Sequence, residues 1–231
     1  MKNRLMTLMF CMLVSAVNVF AQTCAGIAMK EGSGFEMDTF DGKGKLSGHI
    51  VYKVTKVEKE AAGLALTLAM EVMDQKGKSV MKNDYQMHCN GNTVSIDASS
   101  LISEEQLKSF KNMEMRYTSE NIEIPSDLTV GQKLKDASLK GEGNSSSIPV
   151  KFNMQLRNRN VAALEKVTVP AGTYDAYRIN SDMHMEMMMG FPVKMEMQSI
   201  SYRAPGVLWD VKNETYRKGK LVASSQLTKI F

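Results

Sequence analysis

Methionine, cysteine and histidine are the residues of this sequence with chemistry to offer, and methionine is the most unusual of them. The chain has 20 methionines, with a run at Met183, Met185, Met187, Met188 and Met189 and two more close behind at Met195 and Met197. Residues two apart on a β-strand share a face, so Met183, Met185, Met187 and Met189 fall on one side. The short Gly190-Phe191-Pro192 connection then brings Met195 and Met197 back alongside them. Soft thioethers can bind Cu(I), form a pliable apolar groove, or fill gaps in a core. A Cu(I) site needs a few sulfurs converging on one point, whereas a stripe spreads them along a sheet. The expected role is contact with an extended apolar or lipid-like ligand along Met183, Met185, Met187 and Met195, with no metal and no other cofactor.

Cys24 and Cys89 are the two cysteines that remain once an N-terminal leader carrying Cys11 is removed. In an oxidising compartment an isolated pair is most often a disulfide. The competing reading is a metal or redox pair, for which there is no Cys-x-x-Cys spacing. His49, His88 and His184 each stand inside a predicted strand. His88 and Cys89 are neighbours and point to opposite faces, so they cannot share a metal ion without distortion. The sequence lacks Gly-x-Ser-x-Gly, His-Glu-x-x-His, a phosphate loop and a dinucleotide fingerprint. Gly42-Lys43-Gly44-Lys45 has neither the spacing nor the following helix of a phosphate loop and reads as a hairpin turn. No acid, base and nucleophile set can be assembled, so the expectation is binding without catalysis.

The elements that must position these residues begin after an export signal. Met1 to Ala21 has basic Lys2 and Arg4, an apolar run from Leu5 to Val17, and Val19-Phe20-Ala21 before the cut. That run is too short for a stable span, which needs about 20 apolar residues, and no later run is longer. Thr23 stands where a lipid-attachment sequence wants a small residue, which disfavours lipidation at Cys24. Loss of the leader lowers the formal charge from +4 to +2, too little for a nucleic-acid partner, and the basic residues are scattered.

Residues 22–231 read as one antiparallel β domain. Strands are expected at Phe35–Thr39 and Leu46–Val57 around Asp41-Gly42-Lys43-Gly44, and at Gly63–Met73 and Val80–Cys89 around a loop from Asp74 to Lys78, with the Asp and Gly that reversals need. A short strand at Thr93–Asp97 follows. Ser103-Glu104-Glu105-Gln106 is a capping box that predicts one short helix through Asn112. A strand at Asn121–Ile124 comes next. Lys140 to Ser147, rich in Gly and Ser, reads as a mobile loop or weak edge. Val150–Leu156 and Val161–Val169 are expected to form a hairpin around Arg157-Asn158-Arg159-Asn160. In VTVPAGTYDAYRI, Pro170 ends a strand, Gly172 permits a tight reversal with positive φ, and Thr173 restarts the alternation with Tyr177 and Ile179 buried. Long strands then run to Phe231, broken at Gly190 to Pro192, Ala204-Pro205-Gly206 and Arg217 to Lys220.

Four segments together resemble the bacterial domain of unknown function 3108 group and its TapB-like relatives. They are Gly34 to Met37 with Asp41 to Lys45, Ile124 to Leu134, Val169-Pro170-Ala171-Gly172-Thr173-Tyr174, and Tyr202-Arg203-Ala204-Pro205-Gly206-Val207. The last two are the specific ones. The chain departs from the pattern at Ser201, where relatives have Trp, and at Leu208, where they have Gly. The resemblance implies an all-β fold: a curved antiparallel sheet, half-barrel or merged sandwich, like that of periplasmic lipoprotein carriers, whose concave face can hold an apolar ligand or an envelope partner. The alternative is a structural or interaction protein of the cell envelope, with a filled core and a sheet edge offered to another chain.

Overall fold

Alternating apolar and polar residues set nearly all of this chain in strands. The computed structural model describes residues 23–61, 63–101, 115–145 and 148–231. The expected leader and the expected helix at Ser103 to Asn112 lie outside them. A small N-terminal ribbon pairs β1 (Thr23–Cys24) with β2 (Ile27–Ala28). A first run of long strands follows: β3 (Gly34–Asp41), β4 (Leu46–Glu60), β5 (Gly63–Asp74), β6 (Ser79–Asn90) and the short β7 (Thr93–Ile96). After a 3-10 turn at Ala98–Leu101 come β8 (Arg116–Glu120), β9 (Ile122–Pro125), β10 (Ala137–Ser145), β11 (Ile148–Val169), β12 (Gly172–Met189), β13 (Phe191–Arg203), β14 (Asp210–Arg217) and β15 (Lys220–Ile230).

These thirteen strands from β3 onward make one antiparallel sheet in the order β8-β10-β11-β12-β13-β14-β15-β3-β4-β5-β6-β7-β9. It curls until it is nearly closed into a barrel. The two edge strands, β8 and β9, are consecutive in the chain and separated by Asn121 alone. The first hairpins are set by aspartate. Asp41 Oδ1 accepts the backbone N–H of Lys43 and of Lys45, each at 2.9 Å. Asp74 Oδ1 does the same for Lys76 at 2.8 Å and Lys78 at 3.0 Å, which ties each reversal to its own side chain.

The main core lines the inner wall of β3 to β7, where Phe35, Met37, Val54, Leu66, Leu68, Met87 and Val94 are buried. Phe35 stacks on Tyr52 with ring centroids 4.6 Å apart, and Trp209 closes over Tyr52 at 5.1 Å and Tyr85 at 5.9 Å. Cys24 is joined to Cys89 by a disulfide that pins the N-terminal ribbon to this wall. A second cluster of Leu128, Leu134, Val161 and Ile179, with Tyr177 packed against it, sits on β11 and β12.

Two expectations about local structure are corrected. Arg157 to Asn160 is not a turn between two strands: β11 runs unbroken for 22 residues and carries a bulge there, with the register shifting between Arg157 and Asn160. Arg159 accounts for the polar stretch, because its buried side chain donates Nη1 to the carbonyls of Glu123 and Lys135. Lys140 to Ser145, read as a loop or weak edge, belongs to β10, which is held by β8 on one side and β11 on the other. Small residues are needed there: a Cβ at Gly141 would lie 2.8 Å from the Tyr117 ring. The reversal at Pro170-Ala171 is as expected, with Val169 paired to Gly172 and Gly172 at φ 143.

Candidate ligand-binding face

The register of β11, β12 and β13 decides which methionines meet. Met185 stands between Met154 of β11 and Met195 of β13, and Met183 between Leu156 and Met197. Met187 stands between Phe152 and Val193. Leu139 of β10 extends the Met185 row by one more strand. All four methionines expected from the sequence therefore share one face.

That face is the inner one. Met37 of the main core pairs with Leu227, and Ser225, on the same side of β15, pairs with Asn213. Asn213 pairs with Ser201, and Ser201 with the buried Ile179. Met183 lies four residues beyond Ile179 on an unbroken strand and so faces the same way. Met183, Met185, Met195 and Met197 are half-buried, while Met187 is 39% and Val193 50% exposed. From Met183 to Met187 the surface runs about 14 Å along the strands and about 10 Å across three of them. The reverse side of the same strands carries Asn153, Gln155, His184, Glu186, Lys194 and Glu196.

Sequence reasoning missed Phe152, Met154 and Leu156. Their alternation marked a strand, but the bulge was read as a turn, which folded that strand onto Val161–Val169 instead of onto the methionine strand.

The segment Tyr202 to Val207, which carries part of the family resemblance, has a structural role. Arg203, 8% exposed, donates Nη1 to Asp210 Oδ1 at 3.2 Å and Nη2 to the Leu208 carbonyl at 3.0 Å. It thereby holds the loop that carries Trp209. Burial lifts the Asp210 carboxyl above its ordinary range, outweighing the pull of Arg203. Burial likewise lowers Arg159. Crevices of about 40 and 130 Å³ flank this loop, the larger lined by Phe35, Val54, Val207 and Phe231.

On the outer wall, Glu214 accepts from Tyr202 at 3.5 Å and Tyr216 at 3.1 Å and meets Lys212 at 2.6 Å. The Tyr202 hydroxyl is pushed up to about 12, first by burial and then by the charge of Glu214. The histidines are scattered, His49 on Asp38, His88 on Glu60 and His184 near Glu196. No three of His, Cys, Asp and Glu gather as metal ligands among the described residues. No helix among them is long and apolar enough to cross a membrane.

A family model described as DUF3108-like matches residues 30–227. No curated protein matches the chain. Among solved structures, a candidate exported protein of Bacteroides fragilis with a YmcC-like fold is similar at TM-score 0.63 and 18% identity, covering 87% of this chain and 96% of that one. A candidate lipoprotein of Parabacteroides distasonis is similar at TM-score 0.68 and 21% identity, covering 90% and 99%. At these identities the likeness is one of fold.

Proposed function

The chain belongs to the DUF3108-like family, and from that premise we propose that it is a non-enzymatic protein of the cell envelope that holds an apolar or lipid-like ligand on its inner methionine face. One observation carries the reading. Met154, Met183, Met185, Met195 and Met197 are brought into register on the inner side of a curled sheet and left half-buried. Unbranched thioether side chains adapt to ligands of varied shape, which suits a carrier better than a rigid aliphatic wall would. The envelope location is supported by the leader-like residues 1–21 and by two structural neighbours described as a candidate exported protein and a candidate lipoprotein.

Native mass spectrometry of protein purified from an envelope fraction should show a bound lipid-sized mass. Met185→Gln should abolish binding of a hydrophobic fluorescent probe while leaving the melting temperature near that of the wild type. If the face is closed core, the unsatisfied amide costs about 1 to 3 kcal/mol and the variant melts early, which would refute the proposal. The row Met154, Met185, Met195 also sets three thioethers side by side. A Cu(I) titration that displaces the probe stoichiometrically would therefore turn the reading from lipid to metal.

A further inference from the structure

Behind the methionine strands, on the outer wall, lies a second and chemically opposite surface. Asp182, Gln198 and Tyr216 form one row across β12, β13 and β14, and Asn160 and Asn180 pair in the row beside it. Two open clefts of about 720 and 430 Å³ lie over these rows, and Asp182, Gln198, Tyr216 and Gly219 line both, so they form one continuous trough. The smaller half is floored by amides, those of Asn158, Asn160, Asn180 and Gln198. Tyr216 gives its hydroxyl to Glu214, two residues back on its own strand, so its ring lies along β14 beside the floor.

The amides are not all consumed by the sheet. Asn158 donates to Asp182 at 2.8 Å and Asn160 to the Asn158 carbonyl at 3.0 Å. Asn180 Oδ1, by contrast, has no partner among the described residues. His184 Nδ1, at the other half of the trough, faces the Glu196 carboxylate at 3.5 Å. Buried polar atoms are nearly always satisfied, so the unpartnered Asn180 amide oxygen leaves one hydrogen-bonding group of the floor uncommitted to the chain. An amide can flip to offer either donor or acceptor, and it carries no charge. The larger half differs. Arg157, Lys194, Arg217 and Lys218 line it against Asp182 and Glu196, leaving it basic.

We infer that this trough binds a saccharide chain bearing carboxylates, its hydroxyls on the amide floor, one sugar ring on Tyr216, and its acidic groups at the Arg157, Arg217 and Lys218 end. Hydroxyl groups both donate and accept, which is what an amide floor answers. A ring face packs on an aromatic ring, and cations select the acidic chain over a neutral one. An acyl chain has no use for such a floor; Met183 and Met197 border the larger half of the trough, and Met185 borders neither half.

The test uses the mature protein labelled with ¹⁵N, titrated with a uronic-acid hexasaccharide and with a neutral maltohexaose. The acidic chain should move the side-chain amide resonances of Asn158, Asn180 and Gln198, with affinity falling severalfold between low and physiological salt. Gln198→Ala and Arg217→Gln, both at exposed positions, should each weaken binding about tenfold with the melting temperature unchanged. No resonance shift at about 10 mM hexasaccharide, beyond the weakest useful affinity, would overturn the inference. So would equal binding of the neutral chain, or undiminished binding by both variants. Met185→Gln leaves this surface untouched, so failure of the lipid reading and failure of this one are separable.

Discussion

Removing the guanidinium of Arg203 should expose what the inner wall depends on, and its cost should change with pH in a way that packing loss cannot imitate. Arg203→Met keeps much of the side-chain volume but strips Asp210 of its 3.2 Å partner and frees the Leu208 carbonyl. The Asp210 side chain is 16% exposed, so its charge cannot escape to water. Breaking such a pair costs about 3 to 5 kcal/mol. Protonation caps the penalty, because neutralising a carboxyl of ordinary pKa 3.8 at pH 7 costs about 4 kcal/mol, so the expected loss lies at about 3 to 4 kcal/mol.

The sign follows from burial. The folded-state pKa of Asp210 already stands above its ordinary value and rises further without Arg203, so the folded form binds more protons than the unfolded one. Stability is then lost as pH rises from about 4 through the folded-state pKa. The deficit of Arg203→Met against wild type should be small while both folded forms hold the proton, grow by about 1.4 kcal/mol per pH unit once the pH passes the wild-type Asp210 pKa, and level off above that of the variant. Urea unfolding monitored by Trp209, the one tryptophan, measures it at each pH. Arg203→Met combined with Asp210→Asn should lose the slope. A deficit constant from acid to neutral pH would show that Arg203 acts by packing and refute the electrostatic account.

Three further outcomes are expected. Cys89→Ser should cost about 4 kcal/mol in the chain-entropy treatment, because the bond closes a loop of 65 residues; a melting temperature equal to wild type, or free thiols in protein from an oxidising compartment, would contradict it. Gly172→Val should destabilise by about 1 to 3 kcal/mol, through backbone strain at φ 143 and not through a clash, since the nearest atom to the new Cβ is 3.6 Å away on Tyr174; an unchanged urea midpoint would show that the turn relaxes. Tyr202→Phe should leave the ultraviolet phenolate titration unaltered up to a pH of about 11, because the Tyr202 hydroxyl ionises only near 12, and the stability it contributes is lost as pH rises from 10 through that value. Missing phenolate absorbance in the variant near pH 10 would disprove the raised pKa.

The turns were the most legible part of this chain because their cause is local. Asp41 and Asp74 fold back on their own backbones, and Pro170 with Gly172 leaves no alternative to a reversal. The pairing of Met183 to Met187 with Met195 and Met197 was legible for the same reason, since the strands are joined through Gly190 alone, with Phe191 and Pro192 already in the second strand. What could not be read were pairings set by distant partners. Arg157 to Asn160 has the composition of a turn, and only the carbonyls of Glu123 and Lys135, 36 and 24 residues away, make it a bulge. Glycine and serine in β10 signal weakness until Tyr117 is known to lie against Gly141. The polar trough left no motif, because its amides come from three strands whose relative slide is fixed by that bulge.

The junction at Asn121 has a mechanical meaning. A sheet closed by hydrogen bonds can be pried apart at any ladder, and an open one offers its margins to passing strands. Here the two margins are successive lengths of one polypeptide, tied to each other at Asn121, so neither can be drawn away there without stripping the other from its single ladder. The same splice occupies both margins with five- and four-residue strands, one of them ending in Pro125, and so leaves little template for a second chain to extend.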